Sequence, residues 1–156
     1  MFLSTFINKL DKKGRVSVPA TFRSALAGQS FQGLIAYRSY TSAAIEACGV
    51  STMHQLISSV DDMDLFSEER LDISSTVFAD CDQLSFDSEG RINLTDTLIQ
   101  HAGIAERVAF VGCGSTFQIW DPEAFTRYRE EARKRLQARG FTLTVNGRVN
   151  ALKEKG

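Results

Sequence analysis

The sequence predicts an α+β protein: two tandem copies of one β-hairpin and short-helix unit, packed around a shared β core with amphipathic helices. A nine-residue segment that recurs 76 residues later indicates the duplication, because residues 10–18 read LDKKGRVSV and residues 86–94 read FDSEGRINL. Alternating apolar residues beside each segment indicate the hairpins. A unit of this size buries little apolar surface alone, so the copies should share a core by packing or by exchanging hairpins.

The strands of the first hairpin are predicted from a period of two. Before the short turn, Phe6, Asn8 and Leu10 alternate with Ile7 and Lys9. After it, Val16 and Val18 alternate with Arg15 and Ser17. Such alternation is typical of a half-buried β-strand. It predicts that Val16 and Val18 are buried and that Arg15 faces outward.

Each hairpin turn carries the same two turn-forming residue types. Gly14 and Gly90 stand where the loop requires a positive φ, which glycine adopts at little cost. Asp11 and Asp87 can accept hydrogen bonds from the amides of their own loops, a common role of aspartate in turns. We assign these four residues to structuring the loops.

Helices are predicted at matched places in the two copies. Pro19 suits the first turn of a short helix, and residues 95–98 begin its counterpart. Longer helices should open at Ser51 and at Asp121, where each copy ends. Between the copies, a further helix is predicted to begin at Ser67.

These predictions divide the chain into four segments. Residues 5–52 form the first repeat, 53–80 a helical connection, 81–124 the second repeat, and 125–156 a C-terminal helix and tail. The tail from Phe141 onward, with its Asn-Gly pair, is predicted to be a loose hairpin or a mobile end.

The charges are segregated along the chain although the net charge is only −1. Residues 1–45 carry a net charge of +5, residues 46–100 carry −10 and residues 101–156 carry +4. Separated signs predict a basic face and an acidic face, and a basic face suits a polyanionic partner. The alternative is that the acidic helices are simply solvated.

The residues offer little to an enzyme or a metal site. The three cysteines, Cys48, Cys81 and Cys113, are isolated, and there are only two histidines. We predict small buried cysteines in a reducing cytoplasm, with no catalytic residue, no metal and no cofactor. No apolar stretch is long enough to cross a bilayer, so no membrane association is expected.

Basic residues cluster at the first hairpin, and this pattern favours DNA. A two-stranded ribbon fits the major groove, where arginine can pair with guanine while lysine contacts phosphate. The second loop has Glu89 where the first has Lys13, so it should contribute less. The alternative is that both arginines are internal staples paired with the loop aspartates. The candidate DNA-binding residues are Lys9, Lys12, Lys13, Arg15 and Arg91.

The duplicated Asp-x-x-Gly-Arg hairpins, the run over 10–19 and the Trp120-Asp121 ending resemble the MraZ family. Members of this family are two-copy relatives of AbrB-type swapped-hairpin transcription factors. The resemblance extends from Met1 to about Arg139. The residues that match the first motif are Asp11, Lys13, Gly14 and Arg15, and those that match the second are Asp87, Gly90 and Arg91.

The resemblance implies a bacterial DNA-binding regulator, cytoplasmic and associated with the nucleoid. It implies binding to direct repeats in double-stranded promoter DNA, upstream of the division and cell-wall gene cluster that includes its own gene. It also implies a homo-oligomeric ring with the Asp-x-x-x-Arg motifs facing DNA. The alternative is a non-enzymatic assembly or protein-interaction module with structural Asp/Arg loops.

Overall fold

A computed structural model describes residues 1–145 and 149–151. The chain divides into two compact units, Met1–Pro122 and Glu123–Gly156. In chain order the first unit contains β1 (Thr5–Lys9), β2 (Arg15–Ser17), α1 (Ala20–Ala25), β3 (Gly33–Arg38), β4 (Ile45–Cys48), α2 (Val50–Asp61), α3 (Glu68–Thr76), a 3-10 turn (Phe78–Asp80), β5 (Asp82–Ser85), β6 (Arg91–Asn93), α4 (Asp96–Ala102), β7 (Arg107–Gly112) and β8 (Phe117–Trp120). Helix α5 (Pro122–Arg139) begins at the boundary, and β9 (Phe141–Leu143) and β10 (Val149–Ala151) follow it.

The two copies exchange strands. A six-stranded antiparallel sheet has the order β1-β7-β8-β4-β3-β5, so β1 pairs with β7 of the second copy and β5 pairs with β3 of the first. Strands β2 and β6 pair with each other as a separate ribbon. The first predicted hairpin therefore does not close on itself, and only Leu10 and Val16 form an isolated bridge. The predicted α+β fold of two repeats around a shared β core is confirmed, and exchange is the way in which the core is shared.

A local two-fold relation connects the copies. In the ribbon, Val16 lies opposite Ile92, its equivalent 76 positions later. In the sheet, Glu46 of β4 lies opposite Gln118 of β8, and these residues are equivalent at an offset of 72. When equivalent residues face each other in antiparallel strands, an approximate two-fold axis passes between them.

The core is built from both copies. Val16 and Val18 are 1% and 2% exposed, which confirms the side of the strand predicted to be buried. Phe22 of α1 is fully buried, and four aromatic rings lie around it with centroid distances of 5.0 to 6.4 Å. These rings belong to Phe2, Phe6, Phe110 and Phe117. Burial of such large apolar groups supplies the main driving force for bringing the copies together.

The helix boundaries agree with the sequence at Ser67 and differ at Ser51. Helix α3 follows Ser67, whose hydroxyl accepts a hydrogen bond from the backbone of Arg70. Helix α2 begins at Val50 because Gly49 occupies the N-cap position and Gln29 Oε1 accepts from the Val50 N–H at 3.0 Å. The side chain of Gln29, which lies 21 residues before Val50 in the sequence, therefore caps this helix, which the sequence predicted to begin at Ser51.

The second unit contains most of α5 and a short strand pair. Within α5, the guanidinium of Arg129 lies 5.0 Å from the ring centroid of Phe125. Strands β9 and β10 are antiparallel, with Leu143 opposite Val149, so the tail takes the hairpin alternative. The Asn146-Gly147 pair in the predicted turn lies outside the described residues.

The cysteines occupy three different environments. Cys48 is buried, Cys81 is partly buried and Cys113 is exposed, so the prediction that all three are buried is wrong for Cys113. Cys113 lies in the turn between β7 and β8, where its N–H donates to Thr116 O at 2.9 Å. Burial raises the pKa of the Cys48 thiol to about 11, which keeps it protonated at neutral pH.

In the described residues, no helix is both long and apolar enough to cross a membrane.

Candidate nucleic-acid interface

The first loop, residues 11–14, is organised by the carboxylate of Asp11. Its Oδ1 accepts from the backbone N–H groups of Lys13 and Arg15 at 2.9 and 2.8 Å. Its Oδ2 accepts from Arg15 Nε at 2.7 Å. These bonds, led by the one from the Arg15 backbone, hold the pKa of Asp11 below its usual value. Gly14 closes the turn with a φ of +84°.

The second loop, residues 87–90, repeats this arrangement. Asp87 Oδ1 accepts from the backbone N–H groups of Glu89 and Arg91, each at 2.9 Å. Arg91 Nε donates to Asp87 Oδ2 at 2.8 Å, and Gly90 has a φ of +75°. The same backbone and side-chain bonds lower the pKa of Asp87. The duplicated sequence therefore produces two loops with the same pattern of hydrogen bonds.

Each loop arginine is fixed at one edge of its guanidinium. The Nε atoms of Arg15 and Arg91 form ion pairs with Asp11 and Asp87. These are the ion pairs required by the alternative interpretation, in which both arginines stabilise their own loops. Arg91 Nη1 also lies 3.4 Å from Glu89 Oε2. Among the described residues, Arg15 has no ion-pair partner besides Asp11. A guanidinium held through Nε is oriented, and its Nη groups can still donate to another acceptor.

The ribbon of β2 and β6 brings the two arginines onto one surface. Arg15 lies opposite Asn93, and Ser17 lies opposite Arg91. Because directly opposite residues share a face, these four side chains form one outward surface, which we call the ribbon face. The intervening Val16 is buried beneath it. The strands are antiparallel, so the two loops lie at opposite ends of the ribbon.

The other candidate residues concentrate at the first-loop end. Lys12 and Lys13 are exposed within the loop, and residues 11–15 carry a net charge of +2. Residues 87–91 carry a net charge of −1. Lys9 is exposed at the end of β1, opposite Arg107 of β7. The structure therefore brings Lys12, Lys13 and Arg15 together and places Arg91 at the far end of the ribbon.

Sequence reasoning missed two residues of α1 and α4 that contact the loop of the other copy. Arg23 Nε donates to Val18 O at 3.1 Å, and its Nη1 lies 2.6 Å from where a methyl group on Gly90 would be. At the first loop, Ile99 Cδ1 lies 3.6 Å from the equivalent position on Gly14. Residues 23 and 99 are 76 positions apart, so the repeat shows that they are equivalent, and only the strand exchange shows that each contacts the loop of the other copy.

The arrangement suits binding more than catalysis. A two-stranded ribbon with outward guanidinium groups can enter a major groove and donate to base edges, while flanking ammonium groups reach phosphates. In the part of the chain that the structure describes, no group of three or more histidine, cysteine or acidic side chains is placed to hold a metal ion.

Two strand-exchanged repeats, each presenting an Asp-Arg loop on a common ribbon, define a tandem swapped-hairpin protein. The model of the family described as "MraZ protein, putative antitoxin-like" matches residues 77–143. Relatives named "Transcriptional regulator MraZ" extend the similarity over most of the chain. The one from Rickettsia canadensis (strain McKiel) is 46% identical over 143 residues, covering 92% of this chain and 96% of the relative. The one from Pelagibacter ubique (strain HTCC1062) is 47% identical over 135 residues, covering 86% and 87%. The chain belongs to the MraZ family.

Proposed function

We propose that this chain is a sequence-specific, DNA-binding transcriptional regulator without enzyme activity. The ribbon face carries this proposal, because Arg15 and Arg91 are held there through their Nε atoms, which leaves Nη groups able to donate to another acceptor. The name that its MraZ relatives share, transcriptional regulator, supports the same function.

The residues divide into three roles. Arg15 is the principal base reader, since a guanidinium can pair with guanine O6 and N7. Arg91 is a weaker reader because Glu89 competes for its Nη1. The phosphate-binding residues are Lys9, Lys12 and Lys13, and the residues that structure the loops are Asp11, Gly14, Asp87 and Gly90.

The assembly follows from the small size of each basic loop. One subunit offers few phosphate contacts, and repeated subunits would multiply them through effective concentration. We therefore propose a homo-oligomer. The resemblance to the MraZ family further implies that it is a ring and that it binds promoter direct repeats of the division and cell-wall gene cluster, including its own, in a nucleoid-associated state in the cytoplasm. Light scattering tests the assembly against the 17.3 kDa mass of one chain.

Within each subunit we propose four segments. The repeats at 5–52 and 81–124 each supply one DNA-binding loop. Residues 53–80 form the helical connection between them, and residues 125–156 form the C-terminal helix and tail.

A mobility shift assay tests the function directly. DNA from upstream of the protein's own gene should bind more tightly than scrambled DNA of the same length. Affinity should fall steeply with salt, since phosphate contacts release counterions. The Asp-Arg ion pairs favour a second candidate, a protein-interaction module with structural arginines. That candidate is supported if neither DNA binds at low salt.

Replacing the two arginines separately should affect binding unequally. We expect Arg15→Ala to remove most specific binding, because a bidentate guanine contact contributes about 1–3 kcal/mol and recurs in every subunit. Arg91→Ala should weaken binding less and lower the melting temperature more, because Asp87 and Glu89 both lose their ion-pair partner. The measurements are DNA affinity and thermal melting of both variants. Equal losses of affinity would show that the two loops are equivalent readers.

Lys12→Ala is the matched control for this comparison. It should weaken binding to every DNA sequence alike and reduce the salt slope by about one for each phosphate that Lys12 neutralises. A change in operator preference at a constant salt slope would contradict a phosphate-binding role for Lys12.

A further inference from the structure

The first loop is held by a side chain from the other repeat. Asn93 is the last residue of β6 and lies opposite Arg15 on the ribbon face. Its amide group faces two backbone carbonyls, so the nitrogen is the atom directed toward them. In that orientation Nδ2 donates to Lys13 O at 3.1 Å and to Leu94 O at 3.3 Å. The amide thus binds the carbonyl that lies between Lys13 and Gly14.

The same repeat adds a backbone bond beside this amide. The N–H of Leu94 donates to Gly14 O at 2.8 Å. A methyl group on Gly14 would lie 2.9 Å from Leu94 O and 3.0 Å from the end of the Asn93 amide group, so the loop is in close contact with the end of β6. Two consecutive carbonyls of the first loop, those of Lys13 and Gly14, therefore accept hydrogen bonds from the second repeat.

The second loop has the backbone hydrogen bond to the other repeat and lacks the side-chain hydrogen bond. Val18 N–H donates to Gly90 O at 3.1 Å, which matches the backbone bond of the first loop. The position equivalent to Asn93 is Ser17, whose side chain is shorter. Among the described residues, the Ser17 hydroxyl makes no hydrogen bond to the second loop. The amide contact thus belongs to the first loop alone, the loop that carries Lys12 and Lys13.

We propose that Asn93 is a positioning residue of the DNA interface, which fixes the first loop so that Lys13 and Arg15 meet DNA already ordered. This inference rests on the proposed DNA-binding function. A loop ordered before binding does not lose its conformational entropy at the moment of binding, so the complex is tighter. Because Asn93 is uncharged, it acts without contributing to the electrostatic part of the affinity.

The test replaces Asn93 with the residue that the first repeat has at this position. In Asn93→Ser we expect amide hydrogen exchange to rise several-fold at Lys13, Gly14 and Arg15. Exchange at Glu89, Gly90 and Arg91 should be unchanged, which provides an internal control. Operator affinity should fall about three- to tenfold, as expected when one hydrogen bond is removed, with the salt slope and base preference unchanged.

The reciprocal variant Ser17→Asn is the matched control. It places an amide beside the second loop, so exchange should slow at Glu89, Gly90 and Arg91 and stay constant in the first loop. If Asn93→Ser melts much earlier than the unmodified protein, Asn93→Leu replaces it, because leucine is similar in size, is uncharged and removes the donor. The exchange and binding changes expected for Asn93→Ser apply equally to that variant.

The outcomes separate this inference from the function on which it rests. Unchanged exchange in the first loop, or unchanged operator affinity, overturns the positioning role while the unmodified protein still binds DNA. A change in preference at one operator base pair also overturns it, since Asn93 would then read that base directly. Failure of the unmodified protein to bind its upstream DNA overturns the proposed function itself, whatever the exchange rates show.

Discussion

A single carboxylate organises each loop. Asp11 and Asp87 each accept two backbone N–H groups and one arginine Nε, and corresponding bond lengths in the two loops differ by no more than 0.1 Å. All three donors favour the ionised carboxylate, which is why the pKa of each aspartate lies below its ordinary value. Loop geometry and arginine orientation thus depend on the same charged group.

The stability of the protein should consequently depend on acid pH through these two carboxyls. A carboxyl whose folded-state pKa is lowered stabilises the fold above its unfolded pKa, and this contribution disappears as pH falls through the folded pKa. Denaturant unfolding should show that the unmodified protein loses more stability between about pH 5 and about pH 2 than Asp11→Asn/Asp87→Asn does. Parallel losses would mean that the two carboxyls do not contribute.

The close approach at Gly14 leads to a second prediction about single residues. Gly14 and Gly28 have nearly equal φ values of +84° and +81°, but a Cβ on Gly28 would meet nothing within 4 Å. Gly28→Ala should therefore cost only the strain of a positive φ, about 1 kcal/mol. Gly14→Ala adds a contact of 2.9 Å with Leu94 O and should cost clearly more. Equal losses of unfolding free energy would show that the loop moves away at no cost.

At the level of secondary-structure elements, the sequence predicts well which face of a strand is buried and predicts poorly which strand it pairs with. A period of two identifies Val16 and Val18 as buried, because alternation is a local property of a strand. The same pattern is satisfied by any neighbouring strand, so it could not show that β1 pairs with β7. The start of α2 is similar, since it depends on Gln29, which is distant in sequence and adjacent in space.

In the candidate site, too, contacts between residues close in sequence are predictable, and contacts between the two repeats are not. The bonds from Asp11 to Lys13 and Arg15 span at most four residues, and turn chemistry predicts them from sequence alone. The contacts of Arg23 and Asn93 with the loops cross between repeats. They become predictable only when strand exchange and the register of the ribbon are known.

Across the first unit, most of the pairing that closes the β structure joins one copy to the other. The pairs β1·β7, β3·β5, β4·β8 and β2·β6 are all formed between copies. Within a copy, only the β3·β4 and β7·β8 hairpins form between the named strands of this unit. One copy alone would leave β1 and β2 without strand partners and Phe22 without Phe110 and Phe117.

Separated halves of the chain should therefore depend on each other. A fragment of residues 1–80 should not fold as a monomer, and mixing it with 81–156 should restore a cooperative thermal transition. Circular dichroism with analytical ultracentrifugation provides the measurement, because a self-paired dimer of one fragment would be seen by its mass. A monomeric 1–80 fragment that melts cooperatively would contradict the view that exchange holds the fold together.

Strand exchange within one chain has a further consequence for the ribbon. A dimer of identical chains must present the same loop at both ends, and every mutation appears twice. Here the two ends are encoded separately, so Lys13 corresponds to Glu89 and Ile99 corresponds to Arg23. The ribbon thus has a head and a tail despite its nearly symmetric backbone. An elongated partner lying along it meets different chemistry when it is turned end for end, so the molecule can distinguish one direction from the other.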